Sequence, residues 1–128
     1  MAYRTNPVRS LPTVADYVRA LTKLKPRLHK NHQRLLKHHF RSHKHTITAT
    51  HLAKLLDYKS YRAVNLQYGR LGAKLGAALG SAYKPPKGAQ ASNSIASFIP
   101  PDAHHPDWEW CMHEPLAQAL RELKWPLV

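Results

Sequence analysis

Between Thr46 and Leu79 two helical periods lie end to end with a single turn between them. Thr48 is placed to cap a first helix over about Ala49 to Leu56, whose Leu52, Ala53, Leu55 and Leu56 supply an apolar face. Asp57, Tyr58 and Lys59 make the turn. Ser60 caps a second helix, Tyr61 to Leu79, in which Val64, Tyr68, Leu71, Leu75 and Leu79 repeat at steps of three and four and face a core. Two helices joined so tightly must brace one another. That is the layout of a helix-turn-helix, whose second helix enters a nucleic-acid groove.

The other face of the 60–79 helix carries Arg62, Leu66, Arg70, Ala73 and Lys74, with Asn65 on one flank and Gln67 on the other. Arginine and the carboxamides have the geometry that suits base edges. Arg62, Asn65 and Arg70 are therefore the expected base contacts, and Lys59, Ser60 and Lys74 are expected on the DNA backbone. Four of the five glycines, Gly69, Gly72, Gly76 and Gly80, fall within this same helix and its end. Each interior glycine costs about 1 kcal/mol relative to alanine, so something must offset them. Close approach by another helix or strand of the protein is the leading expectation, ahead of a phosphate backbone or a helix break near Gly72.

The charge is one-sided. The formal net charge is +13, and all Lys and Arg except Arg121 and Lys124 lie in residues 1–87, with only Asp16 and Asp57 as acids there. The other five acids lie in residues 88–128. A basic body of this kind implies a polyanionic partner. The single Cys111 excludes an internal disulfide and fits a reducing compartment. No apolar run reaches membrane-spanning length and Met1 to Pro12 lacks a secretory apolar core, so a cytoplasmic location is expected.

Residues 1–12 read as a flexible arm and residues 13–128 as one domain. Thr13 with Asp16 makes a capping-box pair, and Val14, Tyr17, Val18 and Leu21 form one apolar face behind it. A second helix is expected from about Pro26 to Phe40. Arg27, Lys30, Arg34, Lys37 and Arg41 form one stripe on it, opposite Leu28, Leu35, Leu36 and Phe40, with no acid on the stripe to balance it. With Lys44 in the basic loop Arg41 to His45, these cations are expected on DNA phosphates.

Residues 81–94 read as a flexible connection. Thr46-Ile47 suggests a brief strand. Ile95 to Ile99 and Trp108 to Met112 read as a hairpin, with Trp108, Trp110 and Met112 on one face. Pro115 opens a closing helix with Leu116, Leu120 and Leu123 inward, and Trp125 packs on the core. The expected fold is mainly α with a small β-hairpin, in a winged helix-turn-helix-like arrangement.

Ten histidines raise the question of metal. Seven lie between His29 and His51 without a carboxylate or cysteine at ligand spacing. His104, His105, Cys111 and His113 cluster better, yet without repeated ligand spacing, so no metal is expected. His32 and His39 sit on the apolar face and read as satisfied core or interface residues. No arrangement of nucleophile, base and acid stands out, so neither catalysis nor a cofactor is expected.

The segment TITATHLAKLLDYKSYRAVNLQYGRLGAKLG, followed by DWEWCMHEPLAQALRELKW, resembles a small bacterial winged helix-turn-helix-like domain of uncharacterised role, found free-standing or beside HNH endonuclease domains. The T-x-x-x-L-A and Y-x-A-V-N-L-Q-Y-G portions carry the likeness, over roughly residues 46–125. The resemblance implies a non-catalytic accessory module near phage defence. Lys30-Asn31-His32 lies mid-helix, without the context of an HNH metal core.

The expected function is binding of double-stranded DNA, specific for sequence or structure, with the 60–79 helix in the major groove. Two alternatives stand beside it. One is a phage-type inhibitor that binds a CRISPR or restriction nucleoprotein complex. The other is an RNA-binding protein, because a basic helix does not by itself separate RNA from DNA. A homodimer through the first helix or the hairpin is the alternative to a monomer, and implies a two-fold symmetric site.

Overall fold

The computed structural model describes residues 11–85 and 87–125. Most of the expected arm, with Arg4 and Arg9, lies outside them. Helix α1 (Val14–Leu24) begins at a complete capping box: Thr13 Oγ1 accepts from Asp16 N–H at 3.1 Å, and Asp16 accepts from Thr13 N–H at 2.8 Å. The Thr13 N–H, then the Arg19 guanidinium, then the Thr13 hydroxyl hold the Asp16 carboxyl below its ordinary range. Tyr17, Ala20, Leu21 and Leu24 bury one face of α1 against two later helices, introduced below. That apolar face is thus covered within the chain.

The second helix starts later than expected. Pro26 lies in a 3-10 turn, Lys25–Arg27, and Leu28 is extended at φ −79°, ψ 130°. His29 is the actual N-cap, its Nδ1 accepting from Asn31 N–H at 3.2 Å, and α2 runs Lys30–Arg41. Arg27 therefore precedes the helix and leaves the stripe, while Leu28 is buried from outside it. After α2, Lys44 and His45 both take left-handed φ, 54° and 55°. The turn is held by His45 Nδ1–H donating to Phe40 O at 2.6 Å, with the two rings 4.9 Å apart.

Strand β1 (Thr46–Thr48) leads directly into helix α3 (Ala49–Leu55), which Thr48 Oγ1 caps by accepting from His51 N–H at 3.0 Å. Leu52, Ala53 and Leu56 are buried as expected, but Leu55 is 43% exposed. The helix has only two turns, and Leu55 falls on its flank. Asp57 turns the chain at φ 60°, and α4 spans Tyr61–Leu79. Ser60 holds the N-cap position without a side-chain cap bond. Val64, Tyr68, Leu71, Leu75 and Leu79 are all buried, which is the face the spacing predicts. Each such leucine contributes roughly 2 kcal/mol on burial.

The connection expected over residues 81–94 ends in fixed structure: the 3-10 turn Ala91–Ser94 packs along α4, and Ser92, Asn93 and Ser94 are buried. Ser94 Oγ–H donates to Gly72 O at 2.8 Å, Tyr17 O–H donates to Ser94 O at 2.8 Å, and Tyr83 O–H donates to Asn93 Oδ1 at 3.1 Å. Gly72 explains why the segment fits. A Cβ there would stand 2.4 Å from the carbonyl oxygen of Ala91 and 2.7 Å from Ser92 Cα. Gly76 similarly faces the Tyr83 ring at 3.2 Å. Gly72 and Gly76 thus receive another part of the same chain, a 3-10 turn and a tyrosine ring, whereas Gly69 on the same helix faces open space. Gly80, at φ +58°, ends the helix.

Strand β2 (Ala96–Ile99) pairs antiparallel with β3 (Glu109–Met112), and β3 pairs on its other edge with β1. The hairpin is therefore part of a three-stranded antiparallel sheet of order β1-β3-β2. Trp110 sits opposite both Ile47 and Phe98. Trp108 lies before the strand begins and is 48% exposed, unlike the buried Trp110 and Met112. Helix α5 (Glu114–Glu122), with Pro115 in its first turn, buries Leu116, Ala117, Ala119 and Leu120. The core lies where α1, α4, α5 and the sheet meet, closed by Trp125. The described protein is mainly helical with one small antiparallel sheet.

Candidate nucleic-acid interface

Amphipathic spacing leaves α2 with a basic outer face. His32, Leu35, Leu36 and His39 turn inward, so Lys30, Arg34 and Arg41 stand exposed and Lys37 is half-buried. None of these four cations meets an acid. Among the described residues the ion pairs are Arg19–Asp16 at 2.9 Å and His105–Asp102 at 3.3 Å. The self-repulsion is felt locally. His38 is pushed below its ordinary pKa by burial, and then by Lys37, Arg34 and Arg41.

Arg62, Arg70 and Lys74 are exposed along α4, with Leu66 between them at 53% exposure and Ala73 exposed as well. The start of α2 and the middle of α4 enclose a shallow depression of about 570 Å³, lined by His29, Asn31, His32, Gln67, Arg70 and Lys74 among others. His32 Nε2–H donates to Gln67 Oε1 at 3.0 Å, which ties the two helices at its floor. Burial pushes the His32 imidazole down, and Lys74, His29 and Arg70 push it further, against the hydrogen bond to Gln67. The depression thus holds a concentrated positive potential.

Asn65 lies elsewhere. It lines a second groove of about 680 Å³, between the starts of α3 and α4, the Gln90–Ser92 segment and the sheet. Tyr61, Phe98, Asp107, Trp108 and Trp110 line the same groove. The three expected base contacts are therefore not brought to one place: Asn65 and Arg70 belong to different depressions, and Arg62 lines neither. Lys59 and Ser60 are exposed at the turn before α4, Lys44 is exposed on the left-handed turn after α2, and Arg27 is exposed ahead of α2.

His39 is a core residue joining three elements. Its Nε2–H donates to Trp110 O at 2.8 Å, so its Nδ1 accepts from the Tyr68 hydroxyl. Complete burial holds it neutral, with a pKa of about 4. His113 is also buried, Nε2–H donating to Asn93 O at 2.6 Å, while His104 and His105 sit in the exposed loop around Asp102. The hairpin histidines thus serve different tasks. Among the described residues no group of three His, Cys, Asp or Glu is placed to hold a metal, and no helix is long and apolar enough to cross a membrane.

Reading the sequence missed the second groove, because its lining comes from separate segments. Gln90 and Ser92 belong to the stretch whose Pro, Ser and Ala content resembles a linker. The signal that could have placed them was the glycine row on α4, which calls for a neighbour, though not by number. No family model, curated protein or solved structure matches the chain.

Proposed function

We propose that the protein binds double-stranded DNA as a winged helix-turn-helix-like module, with α3 as brace, α4 in the major groove and the β2–β3 hairpin as wing. The observation that carries this reading is the presence of unpaired cations on two neighbouring helices. Lys30, Arg34, Lys37 and Arg41 on α2, and Arg62, Arg70 and Lys74 on α4, have no acidic partner among the described residues. Polyanion binding relieves that repulsion and releases counterions. Arg62 and Arg70 are the base-reading candidates; Asn65, in its separate groove, reads a different part of the ligand. Lys44, Lys59 and Ser60, all exposed, are the further backbone-contact candidates. Neither a cofactor nor catalysis enters this reading.

A second reading is favoured by one observation. Leu66, half-exposed between Arg62 and Arg70 with Ala73 beyond, suits a protein or nucleoprotein surface as well as a thymine methyl. It would make the protein an inhibitor of a nucleic-acid-processing complex. Binding to a random duplex, a single strand and a structured RNA, each over a salt series, separates these readings. Duplex preference with a steep salt dependence supports DNA binding, because each neutralised phosphate adds about 0.9 to the log–log slope. Preference for structured RNA moves the assignment to RNA. Absence of binding at about 50 mM salt removes the nucleic-acid reading and leaves the protein-partner one.

A further inference from the structure

The groove between α3, α4 and the hairpin is built unlike the basic face. Its floor is fixed: Trp110 is buried, 4.8 Å from the Tyr68 ring and 6.1 Å from Phe98, and its carbonyl is held by His39. Its rim is unengaged. Tyr61 and Trp108 are each about half exposed, and neither has a ring partner among the described residues. Asn65, Gln90 and Asp107 make no side-chain hydrogen bond among the described residues. Two open aromatic rings, two free carboxamides and a free carboxylate therefore line one groove of about 680 Å³, within the usual range for a small-ligand site.

We propose that this groove holds one unpaired nucleobase, guanine in preference. This rests on the nucleic-acid reading and names what the groove adds to it. An aromatic rim accepts the flat face of any base by stacking. The carboxylate decides the rest. Asp107 repels phosphate, so the groove is not a backbone track, whereas a base edge offers N–H donors to it. Guanine presents two, N1–H and the N2 amino group, on the same edge as the acceptor O6, to which the N–H of Asn65 or Gln90 can donate. Basic helices beside the groove hold the strand, and the groove takes the base that pairing does not.

The test compares a duplex with the same duplex carrying one unpaired guanine, adenine, cytosine or thymine, for the wild type, Trp108→Ala, Tyr61→Ala and Asp107→Asn. Affinities are measured at two salt concentrations, with circular dichroism as a check on folding. The expected result is a gain of about tenfold for the unpaired guanine, lost in Trp108→Ala or Tyr61→Ala while duplex affinity and its salt slope stay unchanged. Asp107→Asn should keep the gain but level the four bases. Equal affinity of the wild type for paired and unpaired ligands, with a normal salt slope, overturns the inference and leaves duplex binding standing. An equal loss for every ligand in a folded Trp108→Ala overturns it too. Failure to bind any nucleic acid removes both readings at once.

Discussion

The two depressions of this molecule are made by opposite means. The basic one lies between neighbouring faces of α2 and α4, and its charges stand on regular helical steps. The aromatic one is assembled from α3, α4, a 3-10 segment and two strands, and its residues are drawn from positions 49 to 110. Charge on a helix face needs only the helix to be correct. A groove shared among five segments needs the tertiary structure to be correct. The first should tolerate local change and answer to salt; the second should answer to packing and to acid.

Acid gives the largest expected effect, and it falls on the aromatic side. An imidazole in the unfolded chain titrates near 6.5, whereas burial keeps His39 neutral in the fold down to about pH 4. Between those values the unfolded chain binds a proton that the folded chain refuses. Stability is therefore complete above about pH 6.5 and falls as pH drops toward 4, by about 3 kcal/mol. His32 and His38, also pushed down, act in the same direction. Urea denaturation from pH 7.5 to 4.5 measures this. A flat profile would mean that the Tyr68–His39–Trp110 link does not exist in solution.

Gly72→Ala comes next. The new Cβ meets the backbone of Ala91 and Ser92, neither of which can rotate away, so the residues beside Gln90 in the groove wall must shift. A loss of about 2 kcal/mol is expected, overpacking outweighing the helix-propensity gain. Gly69→Ala is the counterpart on the same helix: nothing lies within 4 Å of its Cβ position, so it should gain up to about 1 kcal/mol. If both variants changed stability alike in chemical denaturation, the close approach at Gly72 would be wrong.

The basic side answers more weakly. Arg70→Gln with Lys74→Gln should lower duplex affinity at low salt about tenfold and reduce the log–log salt slope by about 1, the share of the phosphate-facing Lys74, with folding stability unchanged. Arg27→Gln should lower the affinity less than Arg34→Gln, since Arg27 stands off the α2 stripe. Fluorescence anisotropy with a labelled duplex measures both, and equal losses at 27 and 34 would restore Arg27 to the interface.

What the sequence discloses follows the same division. The bounds of α4, its buried face, the capping box at Thr13 and the inward histidines were all legible, because each depends on residues within one or two turns. The start of α2 was not, because Pro26 is equally at home in a 3-10 turn and at the first position of a helix. The burial of Ser92, Asn93 and Ser94 was hidden for a different reason: small polar residues look like linker until their partners, Gly72 and His113 among them, are known. Of the site, the cations were visible and their grouping was not.

Strand β3 joins distant parts of the chain, since it pairs with β2 on one edge and with the strand leading into α3 on the other. The helix pair that stands out in the sequence is thus anchored at its first residue by a strand that emerges from the ribosome some sixty residues later. Thr46 to Leu79 can form helices early, but the entrance to α3 stays unset until residues 109–112 arrive. A fragment cut to the apparent motif would keep its charges and lose the strand that orients them. What looks like a transplantable unit in the sequence is, in the fold, one side of a structure that is finished last.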